Sequence, residues 1–243
     1  QDLQEYEKNR MIAEVKLIKA YMHFYLLSYY GPICPLRESP EVNESTQGVR
    51  VYREKVDDCF QYIIDLMDEV IDSKALPLIL TNPTTELGRF TLPVAYMMKA
   101  KVLLYWASPL FKGNTDYNSF LDHNGEPFFN QVYDPSRWTM AAETCKKAIE
   151  ICESAGVRLY QTSDYIATKK LSDQTLLVQT LRGVISHRWN PELIWSNTSY
   201  PMNKNFQSEC FTFFETATSL YDAQQKMSVP LSTVELFYSR NGV

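Results

Sequence analysis

The chain has 243 residues, a net charge of -5 and an apolar content of 45%. This is enough sequence for one large domain or two small ones with a real core. Lys and Arg are spread along the chain, so the sequence does not predict a surface that follows nucleic-acid phosphates. No apolar run reaches the roughly 20 residues that a membrane-spanning helix needs. With only 8 glycines, the composition favours helices over tightly turned sheets.

The first predicted helix covers residues 2–30 and contains most of the segment "AEVKLIKAYMHFYLLSYYGPICPL" at 13–36. Apolar residues recur at steps of three and four on one face: Met11, Val15, Ile18, Met22, Tyr25 and Tyr29. A second face carries Ala20, Phe24 and Leu27. Because a helix that is apolar all round must be covered by neighbours, we expect a central rod whose tyrosines lie in the core. Gly31-Pro32 ends it.

Three further helices are predicted at 49–73, 92–106 and 136–154, the third of them after a long loop at 108–136. The acidic row of the second helix, which includes Asp57 and Asp58, is interpreted as a solvated face. Thr91 is the predicted cap of the third helix. The helix "WTMAAETCKKAIEICESAG" is similar to a tetratricopeptide helix, with an aromatic residue, alanines at stacking positions and a final glycine.

The chain therefore divides into a predicted tetratricopeptide-like helical bundle at 1–156 and an irregular region at 157–243. The second region contains short apolar runs broken by Pro, Asn, Ser and Gly. It predicts short helices, turns and at most a strand or two, with a last short helix capped by Ser232 or Thr233. The fold class is mainly α, with a loop-rich second half packed on the bundle.

The sequence contains no H-E-x-x-H, G-x-S-x-G or phosphate-loop motif, so we predict neither a catalytic nor a metal site, and no cofactor. The five cysteines form no C-x-x-C and are interpreted as small buried apolar residues. His23 is expected to donate a hydrogen bond in the core. In "DHNGEP" at 122–127, calcium binding is an alternative to a solvated turn, although the glycine spacing departs from that of a calcium loop.

Candidate ligand-binding residues lie in the second half, because loops that carry Trp, Tyr and Asn suit the recognition of sugar rings and hydroxyls. Trp189 lies beside Arg188 and Asn190, and Tyr200 precedes Asn203. Phe211 and Phe213 share one side if their segment is extended. Packing is the alternative role for each aromatic residue. Trp195 is predicted to be in the core.

An ordered series of segments resembles the SusD/RagB family of outer-membrane lipoproteins of Bacteroidetes. The segments are the Tyr-rich helix ending in "YYGP", "LGRFTLPVAYMMKAKVLLYWASPLFKGN", "YDPSRWTMAAETCKKAIE", "NPELIWSNTSY" and "PLSTVELFYSRNGV". None is decisive alone, but five in order over nearly the whole chain are specific. The last one departs from the family pattern, with Ser232-Thr233 where Pro-Thr is usual.

The resemblance implies a cell-surface protein that binds a glycan or another nutrient, lacks catalysis, and delivers its ligand to a SusC-like TonB-dependent transporter. It also implies a lipid anchor on a cysteine upstream of Gln1 and a large part of the protein after Val243, since family members are about twice this length. A tetratricopeptide-type adaptor that binds a peptide or protein is the alternative. An adaptor predicts charged or Asn side chains along the inner helical face, and a glycan binder predicts exposed aromatics and amides within 157–243.

Overall fold

The computed structural model describes residues 3–39, 45, 47–165, 171–196 and 230–236. Its helices are α1 (Glu5–Tyr30), α2 (Val56–Asp72), α3 (Pro83–Glu86), α4 (Leu92–Ala107), α5 (Ser136–Ser154), α6 (Asp173–Ser186) and α7 (Leu231–Val234). Short 3-10 turns cover Thr115–Tyr117 and Thr162–Asp164. Among the helices described, none combines the length and the hydrophobicity required to cross a bilayer.

The chain divides into two compact units, Gln1–Ser196 and Asn197–Val243. The first unit holds α1 to α6. Of the second, the described residues 230–236 contain the short helix α7, and Leu231 in this helix and Leu236 after it are exposed. The division at 156–157 suggested by the sequence stays a prediction.

The four long helices at the start of the first unit pack in series. α1 packs on α2, α2 on α4 and α4 on α5, and a smaller contact joins α1 to α4. The helices thus form two successive pairs, α1 with α2 and α4 with α5, and the first helices of the two pairs, α1 and α4, are in contact. This is the order of a helical repeat. The prediction of a mainly α, tetratricopeptide-like fold is confirmed, and α5 has the predicted bounds.

The second helix begins seven residues later than predicted, at Val56. Before it, residues 50–55 are not helical, and the amide of Glu54 donates to the carbonyl of Ile33 (2.8 Å). Tyr52 therefore lies outside the helix and stacks on His123, with ring centroids 4.7 Å apart. The helix itself buries a full stripe against its neighbours: Val56, Cys59, Phe60, Ile63, Met67 and Val70.

The prediction that the tyrosines of α1 lie in the core is wrong for Tyr25, Tyr29 and Tyr30, which are exposed, whereas Tyr21 is half-buried and packs against the core. The buried face of α1 carries Ala13, Leu17, Ala20, Phe24 and Leu27, where alanines let the neighbouring helix approach closely. The stripe that begins at Met11 and ends at Tyr29 is exposed, with Tyr29 at 69%. α1 is also not the central rod, because it packs mainly on α2 at the end of the series.

The loop at 108–136 supplies aromatic side chains to the core. Phe111, Phe128 and Phe129 are buried there, and the Phe111 and Phe129 rings stack at 6.2 Å. Gly31, which ends α1 at a φ of 70°, lies against Phe129, so that a Cβ at this position would come within 3.4 Å of the ring. The positive φ is therefore the reason for glycine here, since an added Cβ would meet the Phe129 ring only at van der Waals contact.

Asp57 on α2 is not part of a solvated row, contrary to the sequence interpretation. Its carboxylate accepts hydrogen bonds from both terminal nitrogens of Arg137 (2.9 and 2.5 Å), Trp106 Nε1 (2.8 Å) and Asn130 Nδ2 (3.0 Å). Burial by itself raises the pKa of Asp57, but the hydrogen bonds from Arg137, Trp106 and Asn130 outweigh it and lower the pKa below its ordinary value. The network joins α2, α4, α5 and the 108–136 loop.

Two smaller predictions can be compared with the structure. The amide of Leu36 donates to His23 Nε2 (3.1 Å), so the proton is on Nδ1, which donates to the Lys19 carbonyl (2.8 Å). The predicted core hydrogen bond of His23 is confirmed. The interpretation of the cysteines as buried holds for Cys59 and Cys152, whereas Cys145 is half-buried. It is wrong for Cys34, which is exposed, and Cys210 lies outside the described residues.

Candidate functional site

The segment 187–196, which follows α6, contains three of the predicted ligand-binding residues. Its backbone is fixed by Asn190, which is 5% exposed. Asn190 Nδ2 donates to the carbonyls of Val184 and His187 (both 2.9 Å), and Oδ1 accepts from the amide of Glu192 (3.0 Å). These bonds use both amide protons, so Asn190 holds the turn that presents its neighbours.

Arg188 and Trp189 stand at the outside of this turn. Arg188 is exposed and Trp189 is half-buried, with Trp189 in the left-handed backbone region at a φ of 53°. A non-glycine residue in this region is uncommon and often marks a functional or tightly constrained position. The Trp189 ring lies near Gly88, with its Cη2 atom 3.9 Å from where a Cβ of that glycine would stand. The other candidates, Tyr200, Asn203, Phe211 and Phe213, lie outside the described residues.

Trp195 anchors the same segment to the helical bundle. Its Nε1 donates to the carbonyl of Gly88 (3.0 Å), and its ring packs on Phe90 (5.1 Å) and edge-on to Tyr21 (6.2 Å). The predicted packing of Trp195 on the core is confirmed. Trp189 and Trp195 thus approach the turn at Gly88, which has a φ of 94°.

An ion-pair network holds this turn to α1. Arg89 donates two hydrogen bonds to Glu14 (3.0 and 3.1 Å) and pairs with Glu7 (2.9 Å), while the buried Arg10 pairs with Glu86 (2.5 Å). The hydrogen bonds to Glu14 raise the pKa of Arg89, and the hydrogen bond from Arg10 lowers the pKa of Glu86. The sequence analysis identified Gly88-Arg89 only as part of a family motif. It did not predict the ion pairs of Arg89, because Glu14 lies 75 residues earlier in the sequence.

Tyr160 packs against the C-terminal end of α6. Tyr160 is fully buried; its hydroxyl lies 2.6 Å from His187 Nδ1, and its amide donates to Glu192 (2.9 Å). The helix approaches Tyr160 at Gly183, where an added Cβ would lie 2.4 Å from the tyrosine oxygen. Nothing in the local sequence pattern reveals this contact, because Gly183 lies within a helix without a turn to explain it.

A cleft of about 590 Å³ lies beside Trp195, on the side of the bundle formed by α1, α4 and α5. Its walls are mostly apolar, with Tyr21, Lys101, Cys145 and Trp195 as the lining residues that carry a polar group. The lining residues are Tyr21, Val94, Met97, Met98, Ala100, Lys101, Leu104, Cys145, Ile149, Ile194 and Trp195. Its volume is that of a small-molecule site, but sugar hydroxyls would meet few hydrogen-bonding partners there. The lining suits apolar groups.

A smaller depression of about 300 Å³ adjoins this cleft and shares Tyr21 and Lys101 with it. Tyr25, Tyr29 and Tyr105 line it. The Tyr25 and Tyr29 rings lie 4.7 Å apart, and the hydrogen bond with Tyr29 raises the pKa of Tyr25. Sequence analysis missed this surface because it assigned these tyrosines to the core.

The described residues contain no group of three or more His, Cys, Asp or Glu side chains placed to hold a metal ion. In the 122–127 segment, Asp122 Oδ1 accepts the amides of Asn124 (2.8 Å) and Glu126 (2.9 Å). The amide of Glu126 makes the larger contribution to lowering the pKa of Asp122, and that of Asn124 lowers it further. This arrangement is a turn in which the aspartate satisfies backbone donors.

No protein-family profile and no curated protein matches this sequence. Solved structures do match. One named BT4246 is 28% identical and superposes with a TM-score of 0.72, covering 83% of this chain and 37% of its own. A SusD-like protein from Bacteroides fragilis NCTC 9343, BF3747, is 17% identical with a TM-score of 0.55, covering 83% of this chain and 30% of its own.

The chain therefore has the SusD-like fold, and these neighbours support the resemblance to the SusD/RagB family that the sequence motifs indicate. It spans about a third of the length of the solved structures that it matches. Within this fold, Trp195 holds the turn at 187–196 against the helical bundle, and Asn190 fixes the backbone of that turn.

Proposed function

We propose that this chain is part of a cell-surface protein that binds a glycan, or another nutrient, and delivers it to a SusC-like TonB-dependent transporter. The observation that carries the proposal is the agreement of fold with BT4246 and with a SusD-like protein over 83% of the chain. Binding without catalysis is consistent with a sequence that contains no recognisable catalytic motif.

The ligand contacts that we propose begin at the turn formed by Arg188 and Trp189. An indole face packs against the C–H groups of a sugar ring, and a guanidinium donates to hydroxyls or carboxylates in a fixed geometry. Both side chains stand on a turn held by Asn190 and close to the anchored turn at Gly88. A rigid support of this kind limits the entropy lost on binding. Tyr200, Asn203, Phe211 and Phe213 are further proposed contacts.

The proposed location is the outer face of the outer membrane in a member of the Bacteroidetes, through a lipid anchor on a cysteine outside this sequence. The proposed partners are the oligosaccharide and the transporter. We propose neither a nucleic-acid partner nor a cofactor. The acidic composition disfavours binding to nucleic acid.

A peptide-binding adaptor is less well supported. It predicts charged or Asn side chains along the inner helical face. The cleft and the adjoining depression are instead lined mainly by apolar residues and tyrosines, with Lys101 as their charged residue. A groove between α1 and α2 does contain Asn9, Lys16 and Glu69, so the preference for glycan binding rests on the fold and not on the helical face.

Titration of tryptophan fluorescence with a panel of oligosaccharides tests glycan binding. Saturable binding that weakens at least tenfold in Trp189→Ala is expected. Trp138→Ala is the matched control, because Trp138 is 42% exposed on α5 and away from the turn. Equal affinities in both variants would reject Trp189 as a contact. Absence of binding across the panel, combined with saturable peptide binding, would favour the adaptor.

The transporter partnership has a separate test. The protein, expressed from its own gene in its native host and solubilised in mild detergent, is expected to co-purify with a TonB-dependent channel. Its isolation without any such channel, under conditions that preserve other outer-membrane complexes, would contradict the partnership and leave glycan binding to be judged by the titration.

A further inference from the structure

The turn after α6 presents a guanidinium that has no ionic partner among the described residues. Arg188 is exposed, and within the described part of the chain no carboxylate or other side chain bonds to it. Arg10, Arg89 and Arg137, by contrast, each pair with an aspartate or glutamate of this protein. The Arg188 guanidinium is therefore available to an anion from outside the protein.

The carboxylate of the same segment is used within the protein. Glu192 is the acidic residue of the segment 187–196, and its Oε2 accepts a hydrogen bond from the amide of Tyr160 (2.9 Å). It forms no ion pair with Arg188 in the described structure. The unpaired charge next to Trp189 is therefore positive, although the net charge of the chain is -5.

Hydrogen bonds on both sides hold the backbone of Arg188 and Trp189 in place. Before them, the amide of His187 donates to the carbonyl of Gly183 (2.8 Å). After them, the buried Asn190 donates to two backbone carbonyls. Because the Cα atoms of adjacent residues are about 3.8 Å apart, a glycan that contacts both side chains must carry its anionic group close to the ring that packs on Trp189.

We propose, on the basis of the glycan binding proposed above, that the ligand is an acidic oligosaccharide. Its carboxylate or sulfate pairs with Arg188, while the ring that bears this group, or the next ring, packs on Trp189. A planar guanidinium donates two parallel hydrogen bonds to such an anion, and these charge-assisted bonds are stronger than those to a neutral hydroxyl. A neutral oligosaccharide with the same backbone would keep the contact with Trp189 and lose the ion pair.

Pairs of oligosaccharides that share a backbone and differ only in charge test the proposal. One series compares uronic-acid oligosaccharides with their carboxyl-reduced forms, and the other compares sulfated oligosaccharides with their desulfated forms. Isothermal titration calorimetry is expected to show at least tenfold tighter binding of the charged member in one series, which identifies the anionic group. The advantage should shrink when the salt concentration is raised, because salt screens exposed charges.

Three variants separate the ion pair from the ring contact. Arg188→Gln is expected to lose the preference for the charged member and to bind the neutral member as the parent does, whereas Arg188→Lys keeps part of the preference, since it retains the charge without the two-pronged geometry. Trp189→Ala should weaken both members of a pair by the same factor. Arg53→Gln is the control, because Arg53 is also exposed but lies close to the C-terminal end of α1, where Glu54 bonds to Ile33.

Two results would overturn the acidic ligand and leave glycan binding intact. The first is equal or tighter binding of the neutral member in both series, and the second is a preference for the charged member that persists in Arg188→Gln. A protein that gives a native circular dichroism spectrum and binds no oligosaccharide, charged or neutral, would instead reject glycan binding itself, and the acidic ligand with it.

Discussion

Asp57 on α2 and Arg137 on α5 form a two-pronged ion pair, with nitrogen–oxygen distances of 2.9 and 2.5 Å, between residues 80 positions apart in the sequence. Arg137 is almost fully buried and also lies over the Trp106 ring at 4.4 Å. The ion pair, its hydrogen bonds and the contact of Arg137 with the Trp106 ring therefore lie together, where α2 meets α5.

Asp57→Asn is expected to destabilise the protein by about 3 kcal/mol, because the buried guanidinium of Arg137 then keeps only the more exposed Asp134 carboxylate, 3.9 Å from its Nε, as a counter-charge. Urea unfolding followed by circular dichroism measures the loss. Lys147→Met is the control, since its ion pair with Glu150 is exposed and is worth at most about 0.5 kcal/mol. Equal destabilisation by the two variants would contradict the role assigned to Asp57.

The same pair predicts a dependence of stability on pH. The pKa of Asp57 is lower in the folded protein than its ordinary value of about 3.9. Its contribution is therefore fully present above that value and is lost as the pH falls toward the folded pKa. The difference in unfolding free energy between the parent and Asp57→Asn should shrink as the pH is lowered from about 6 into this acid range. A difference that stays constant down to the lowest pH at which both proteins fold would be inconsistent with the lowered pKa.

Gly183→Ala tests the contact between α6 and Tyr160. Helix propensity alone favours alanine by about 1 kcal/mol, whereas a Cβ 2.4 Å from the Tyr160 oxygen forces a displacement that costs about 1–3 kcal/mol. We expect net destabilisation, and loss of amide protection in 173–187 by hydrogen exchange. In a Tyr160→Ala background the substitution should become neutral or stabilising, a coupling that a double-mutant cycle measures.

Cysteine reactivity should differ sharply between two positions. Burial raises the pKa of the Cys59 thiol to about 11, and its side chain is inaccessible, whereas Cys34 is exposed. At a pH of about 8, iodoacetamide should modify Cys34 at least on the order of 100-fold faster than Cys59. Peptide mass spectrometry resolves the two sites. Comparable rates for the two cysteines in the native protein would contradict the burial of Cys59 on α2. The positive control is the reaction of Cys59 in urea, where the thiol is accessible.

The helices were the most predictable feature, because their signals are local. The three-and-four spacing of apolar residues and Asp134-Pro135 before Ser136 located α5 at its observed bounds. The start of α2 was less predictable, because pairing of Glu54 with Ile33, 21 positions away, holds residues before Val56 out of the helix. Of the candidate site, the structure places Arg188 exposed and Trp189 half-buried at one turn, and Asn190 is the buried residue that holds this turn. Ligand binding by these residues stays a prediction.

Local signals were sufficient to predict a helical array with the SusD-like order of segments, because helix periodicity, caps and motif order depend on neighbouring residues. The packing of the helices was needed to show which of the two apolar faces of α1 is buried, that Asp57 pairs with a buried arginine, and that Gly88 and Arg89 connect α1 to the turn of Trp189. Burial, ion pairing and close packing depend on partners tens of residues away, and no local pattern records those partners.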